Sequence, residues 1–121
     1  MNEVIYYERE SGGSPVVEFL VELPEKHRSK ALRQIDLLQE FGRDLREPFA
    51  KHIEGKEFRG LWELRIKFAS DISRIFYFAP IGDKFVLLHG FVKKTDKTPV
   101  SELETAKRRM TEYKRRIENE Q

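Results

Sequence analysis

Between Leu61 and Lys94 lies the strongest pattern the chain carries, apolar and polar positions alternating with a period of two from Trp62 to Phe68 and largely apolar runs after it. The stretch reads LWELRIKFASDISRIFYFAPIGDKFVLLHGFVKK and is dense in β-branched and aromatic residues. It breaks at Ala69-Ser70-Asp71 and at Pro80-Ile81-Gly82-Asp83, where turns are expected. It predicts a meander of three antiparallel strands. Strict alternation puts Trp62, Leu64, Ile66 and Phe68, then Ile75 and Tyr77, then Val86, Leu88 and Val92 on one apolar face. The opposite face takes Glu63, Arg65 and Lys67, then Arg74, Phe76 and Phe78, then Phe85, His89, Phe91 and Lys93.

Elsewhere the apolar period is helical. Ser14 followed by Pro15 is an N-cap with proline at the first helical position, and Val16, Val17, Leu20 and Leu23 recur until Pro24. A second helix is predicted from Glu25 to Phe41, with Ala31, Leu32, Ile35, Leu38 and Phe41 as its stripe and Gly42 at its C-terminal cap. So short a connection makes the two a helical hairpin, the natural cover for the Trp62, Leu64 and Ile66 face. Thr98 as cap and Pro99 as first residue open a last helix, with Val100, Leu103, Ala106, Met110, Tyr113 and Ile117 as its stripe. Val4-Ile5-Tyr6-Tyr7 predicts an added strand, and the aperiodic segment from Arg43 to Glu57, with Pro48 and Gly55, predicts a loop with room for a helical turn. The expected fold is α+β: a small antiparallel sheet covered by an N-terminal helical hairpin, with a C-terminal helix. At 121 residues it is expected to be one domain, residues 1–121.

Composition narrows the function. Without cysteine there is no disulfide framework, thiolate metal site or cysteine nucleophile. The opening MNEVIYYERE has no signal-peptide pattern and no apolar run reaches membrane length, so a cytoplasmic protein is expected. The net charge is +2, but it is unevenly spread: residues 84–116 carry ten Lys and Arg against four Asp and Glu, while residues 1–83 are slightly acidic. Two Lys-Arg-Arg triplets, at 107–109 and 114–116, lie a heptad apart on the last helix. Such asymmetry points to nucleic acid or to an acidic protein as partner.

The mixed face of the meander admits two readings. Its phenylalanines can pack against a second element, such as the last helix, with the arginines as amphipathic cover. Alternatively, cations and rings together form a surface for RNA. His27, His52 and His89 share no metal-ligand spacing, no carboxylate cluster accompanies them, and no glycine-rich phosphate loop follows a strand, so neither a metal nor a cofactor is expected. A cationic site without metal suits RNA cleavage by the RNA's own 2′-hydroxyl. That reaction needs a base, an acid for the leaving 5′-oxygen and cations for the pentavalent phosphate. Arg65 and Arg74, on neighbouring strands, can converge on one phosphate, with His89 and Lys93 on the next strand. Lys51, His52 and Lys56 lie in the loop that enters the first meander strand.

Three segments together, Leu61-Trp62-Glu63-Leu64-Arg65, Ser73-Arg74-Ile75-Phe76-Tyr77 and Leu87 to Thr95 followed by Lys97-Thr98-Pro99 and Glu102, resemble the RelE/ParE toxin superfamily. Within it they are most similar to the HigB-like, phage-derived branch, and the order of elements matches over nearly the whole chain. The resemblance implies the toxin of a bacterial type II toxin–antitoxin pair. It implies a ribosome-dependent, metal-independent mRNA endoribonuclease, neutralised by a HigA-type helix-turn-helix antitoxin whose complex binds operator DNA through the antitoxin. By resemblance the sheet arginines are Arg65 and Arg74, and the basic cluster after the last strand is Lys93 and Lys94. His89 completes the expected catalytic set; Lys51, His52 and Lys56 match the family pattern more loosely, and with Glu63, Phe91 and Lys97 they are the expected RNA contacts. The tyrosine that RelE proteins carry after the basic cluster has no counterpart between Asp96 and Pro99, so the base stays open among His89, Lys94 and Glu63. A ParE-like inhibitor of DNA gyrase without nuclease activity is the alternative on the same fold.

Overall fold

The structure, a computed structural model, describes residues 1–94 and 96–120. In chain order it contains β1 (Glu3–Tyr6), α1 (Pro15–Glu22), α2 (Glu25–Phe41), β2 (Ala50–His52), β3 (Trp62–Phe68), β4 (Asp71–Phe78), β5 (Lys84–Lys93) and α3 (Val100–Asn119). The fold is α+β, three helices on a five-stranded sheet of order β1-β5-β4-β3-β2. The meander forms β3, β4 and β5 as expected. β1 is the added strand; it runs parallel to β5, with Glu3 opposite Lys84 and Tyr6 opposite Leu87, so the sheet is mixed. No helix is long and apolar enough to cross a membrane among the described residues.

The helix-cap signals act as read, with one exception. The Ser14 hydroxyl accepts from the Val17 amide at 3.3 Å, and α2 stops at Gly42, whose φ of 54° favours glycine. Thr98, however, does not cap α3. Pro99, held extended at φ −61° and ψ 137°, takes the cap position, and the helix begins at Val100. The segment expected as a loop also holds β2, which pairs with β3 from Ala50 opposite Leu64 to His52 opposite Trp62. Three residues on an edge are too few to show a period.

α1 and α2, joined through Leu23 and Pro24, bury Val16, Leu20, Ala31, Ile35 and Leu38 against one face of the sheet. Leu32 and Phe41 point to solvent instead, and two polar residues of α2, His27 and Gln34, are buried in their stead. Both have partners, as burial requires. His27 Nε2 lies 2.9 Å from the Ser73 hydroxyl, and Gln34 donates to the Arg65 carbonyl at 3.2 Å. α3 covers the other face with Ala106 and Met110, over Phe76, Phe78 and Phe91. Phe76, Phe78 and Phe91 are therefore part of a second core, in agreement with the packing reading of that face.

The expected faces of β5 are corrected over its first half. Phe85 and Leu87 join the α1/α2 side, while Val86 and Leu88 join the α3 side. The cause is a β-bulge: Phe76 pairs with His89 and Tyr77 with Leu87, so Leu88 is an extra residue and the alternation changes phase. After the bulge His89, Phe91 and Lys93 lie on the α3 side, as alternation predicts. Gly90 falls on the α1/α2 side, where a Cβ would stand 2.4 Å from Cδ2 of Phe19. Gly90→Ala is thus expected to destabilise the protein by about 1–3 kcal/mol through overpacking. Thermal melts of Gly90→Ala and of Gly90→Ala with Phe19→Leu check this, the second change restoring part of the loss.

Candidate functional site

Strand register sets the side chains of the α3-side face in three rows. Lys51, Glu63, Phe76 and His89 stand abreast on β2, β3, β4 and β5; Arg65, Arg74 and Phe91 form the next row; Lys67, Ile72 and Lys93 form the third. The tight turn at Ala69-Ser70 fixes the first two arginines directly opposite each other. Like charges so placed repel. Glu63, the diagonal neighbour of Arg74, offsets that repulsion: its Oε2 lies 3.0 Å from Arg74 Nε, an ion pair rather than an aligned hydrogen bond. Both side chains are nearly enclosed, at 3% and 11% exposure. Burial lowers the pKa of Arg74, Glu63 pulls it up and Arg65 pushes it further down. The guanidinium stays charged all the same.

Each member of this pair borders a different opening. Arg74, with Arg65, Lys67, Ile72, Lys30 and Gln34, lines a cavity of about 320 Å³ that reaches round the edge of β3 to α2. Glu63, with Lys51, His52, Glu54, Thr98 and Leu103, lines one of about 230 Å³ between β2 and the start of α3. Lys30 belongs to this cationic surface although its helix gave no signal for it. Arg65 is only partly buried, so the row offers one accessible guanidinium beside one enclosed guanidinium.

His89 is held from α3. Arg109 Nη1 donates to His89 Nδ1 at 2.9 Å and to the Leu88 carbonyl at 3.0 Å. Because Nδ1 accepts, the neutral ring carries its proton on Nε2, which faces Glu102 Oε1 at 3.3 Å. The ring stacks with Phe91, centroids 5.9 Å apart, and with Phe76 at 6.5 Å. Burial pushes its pKa down, Glu102 raises it, and Arg109 and Arg108 lower it further; the net shift is downward. The sequence pattern gives Arg109 no role apart from its Lys-Arg-Arg triplet. Its spacing carried the signal, since Glu102, Arg109 and Arg116 lie one heptad apart, and Arg116 likewise turns inward to donate to the Glu8 carbonyl at 2.7 Å.

Not every expected site residue joins this face. Lys51 reaches it beside Glu63, while His52 on the next position meets the Trp62 ring edge-on at 5.7 Å. Lys56 lines a separate opening with Arg59 and Trp62, beyond the 230 Å³ cavity. Lys93 ends β5 at the edge of the third row, and Lys94 and Lys97 follow it, exposed; Thr95 of the same motif lies outside the described residues. Phe91 is buried and backs the histidine. Among the described residues no group of three His, Cys, Asp or Glu is placed to hold a metal ion.

Comparison with known proteins adds one match. Residues 18–111, most of the chain and all of the three rows, match the family described as phage derived protein Gp49-like (DUF891). No curated protein matches the chain.

Two outcomes follow from this geometry. Glu63→Ala leaves a buried guanidinium unpaired and is expected to cost about 3–5 kcal/mol, whereas Glu63→Leu with Arg74→Met should recover most of it; denaturant unfolding of the three proteins decides. The second concerns pH. A histidine whose folded pKa lies below its ordinary 6.5 adds stability that is complete above 6.5 and is lost as pH falls through the folded pKa. Melting temperature is expected to drop on acidification below 6.5, and less steeply in His89→Gln.

Proposed function

This chain belongs to the phage-derived Gp49-like family, a toxin family of toxin–antitoxin systems within the RelE/HigB-like group, and from that premise we propose that it is a ribosome-dependent mRNA endoribonuclease. The observation that carries the reading is the row of Arg65 and Arg74 standing between a carboxylate and an ammonium, Glu63 on one side and Lys93 on the other. Attack of a 2′-oxygen on the adjacent phosphorus forms a 2′,3′-cyclic phosphate and breaks the bond to the 5′-oxygen in line with it. The base and the acid must then stand on opposite sides of the phosphate. Successive rows on one face of a sheet are about 7 Å apart, a separation that suits a phosphate over the arginines with a proton acceptor on one side and a donor on the other.

In this reading Arg65 and Arg74 hold the phosphate and stabilise the charge of its transition state, with Lys67 and Lys30 lining its approach. Glu63 takes the proton of the 2′-hydroxyl, and Lys93 gives one to the leaving 5′-oxygen. His89, both ring nitrogens engaged by α3, fixes the start of that helix over the site. Lys51, His52, Lys56, Lys94 and Lys97 contact the flanking backbone, a sequence-independent and salt-dependent contribution. No metal enters the reaction. The partner that neutralises the toxin is a HigA-type antitoxin, through which the complex binds operator DNA, and the site of action is the cytoplasm.

Arg65 is the cleaner probe, because Arg74 is needed by Glu63 for folding. Pulse induction of wild type is expected to create new transcript 5′-ends inside translated frames while protein synthesis stops. Arg65→Ala should lower cleavage by about 10²–10³-fold with an unchanged melting temperature. Intact transcripts with arrested replication would overturn the proposal in favour of a gyrase inhibitor.

A further inference from the structure

On the α1/α2 side of the sheet, away from the three rows, lies a smaller cavity of about 180 Å³. Its walls are Leu45, Trp62, Tyr77 and Phe85, and its rim carries Arg43 and Arg46. Four features make it more than a packing gap. The first is shape: the Trp62 and Tyr77 rings are stacked, with centroids 6.4 Å apart and an angle of 26°, and Phe85 is tilted against Tyr77 at 6.3 Å. The second is charge, since two guanidiniums and no carboxylate line it among the described residues.

The third is that both guanidiniums are tethered. Arg43 Nε donates to the Gly82 carbonyl at 3.0 Å, and Arg46 donates to the carbonyls of Leu45, at 3.2 Å, and of Arg43. Arg46 is thereby held with its Cζ 5.6 Å from the centroid of the Trp62 ring. A tethered arginine loses little entropy when it meets an anion, and its fork matches a carboxylate. The fourth is a hydroxyl that opens on the cavity. Tyr77 is 3% exposed and its ring lines the cavity, while its hydroxyl, without a hydrogen bond to a described residue, is not sealed from solvent. Burial also pushes the phenol's pKa well up, so the group remains a donor.

We propose that this cavity is a binding site for a small monocyclic aromatic carboxylate, its ring between the aromatic walls, its carboxylate on Arg46 and Arg43, and Tyr77 donating to it. The size fits: an apolar cavity of about 150 Å³ accepts one benzene, so 180 Å³ holds one ring while the carboxylate reaches the rim. The ligand lies one residue from the candidate site through two strands, since Trp62 precedes Glu63 and Tyr77 follows Phe76.

Trp62 is the only tryptophan, so its fluorescence reports the cavity directly. Sodium benzoate titrated into the purified full chain is expected to give a saturable change with a midpoint of order 0.1–1 mM. Benzyl alcohol, which keeps the ring and loses the charge, should bind at least tenfold more weakly. Arg46→Ala, an exposed position, and the conservative Tyr77→Phe should each weaken benzoate by fivefold or more at unchanged melting temperature. Saturation-transfer NMR on the benzoate protons reads the same affinities without relying on the indole. No saturable binding, equal affinity for the alcohol, or benzoate binding indifferent to both substitutions would overturn the proposal.

Discussion

The sheet is covered on both faces, and the charged and hydroxyl side chains at Ser73 and Arg74 of its central strand therefore need partners inside the protein. From Ser73 to Phe78, β4 has no exposed residue. Ser73 meets His27 from α2, and Arg74 meets Glu63 from β3. An arginine at such a place is costly to desolvate, and the ion pair limits that cost without turning it into a gain. A purely structural strand would carry leucine there. The charge is understandable if the face it serves meets something anionic, and the partly open Arg65 beside it gives that anion its entrance.

The same double cover decides what was legible in the chain. The helix caps at Ser14 and Gly42, the turn at Ala69-Ser70 and the alternation from Trp62 to Phe68 each leave an unambiguous mark, so the meander and the neighbouring arginines could be read directly. The phase of β5 could not. Phe85-Val86-Leu87-Leu88 is apolar throughout because both faces are buried, and a bulge within such a run shifts every side chain without altering the pattern. β2 escaped because three edge residues show no period. Arg109 escaped for a different reason: within a Lys-Arg-Arg triplet one cation that turns inward looks like its neighbours, and only the heptad with Glu102 and Arg116 sets it apart.

Sequence neighbours on a strand face opposite ways, and here that places two kinds of cavity back to back. Glu63 and Phe76 belong to the cationic side, Trp62 and Tyr77 to the aromatic one. A ring wedged against Trp62 acts on the same peptide unit that carries Glu63.

The parallel pairing of β1 with β5 gives the fold a schedule. Glu3 to Tyr6 are made well before their partners, Lys84 to Leu87, and the helix that closes the other face comes later still. At synthesis rates of about 5–20 residues per second, the first strand waits several seconds for its neighbour. Until then neither edge nor roof of the cationic face exists. The cationic face is thus assembled only after the helix that covers it has been made.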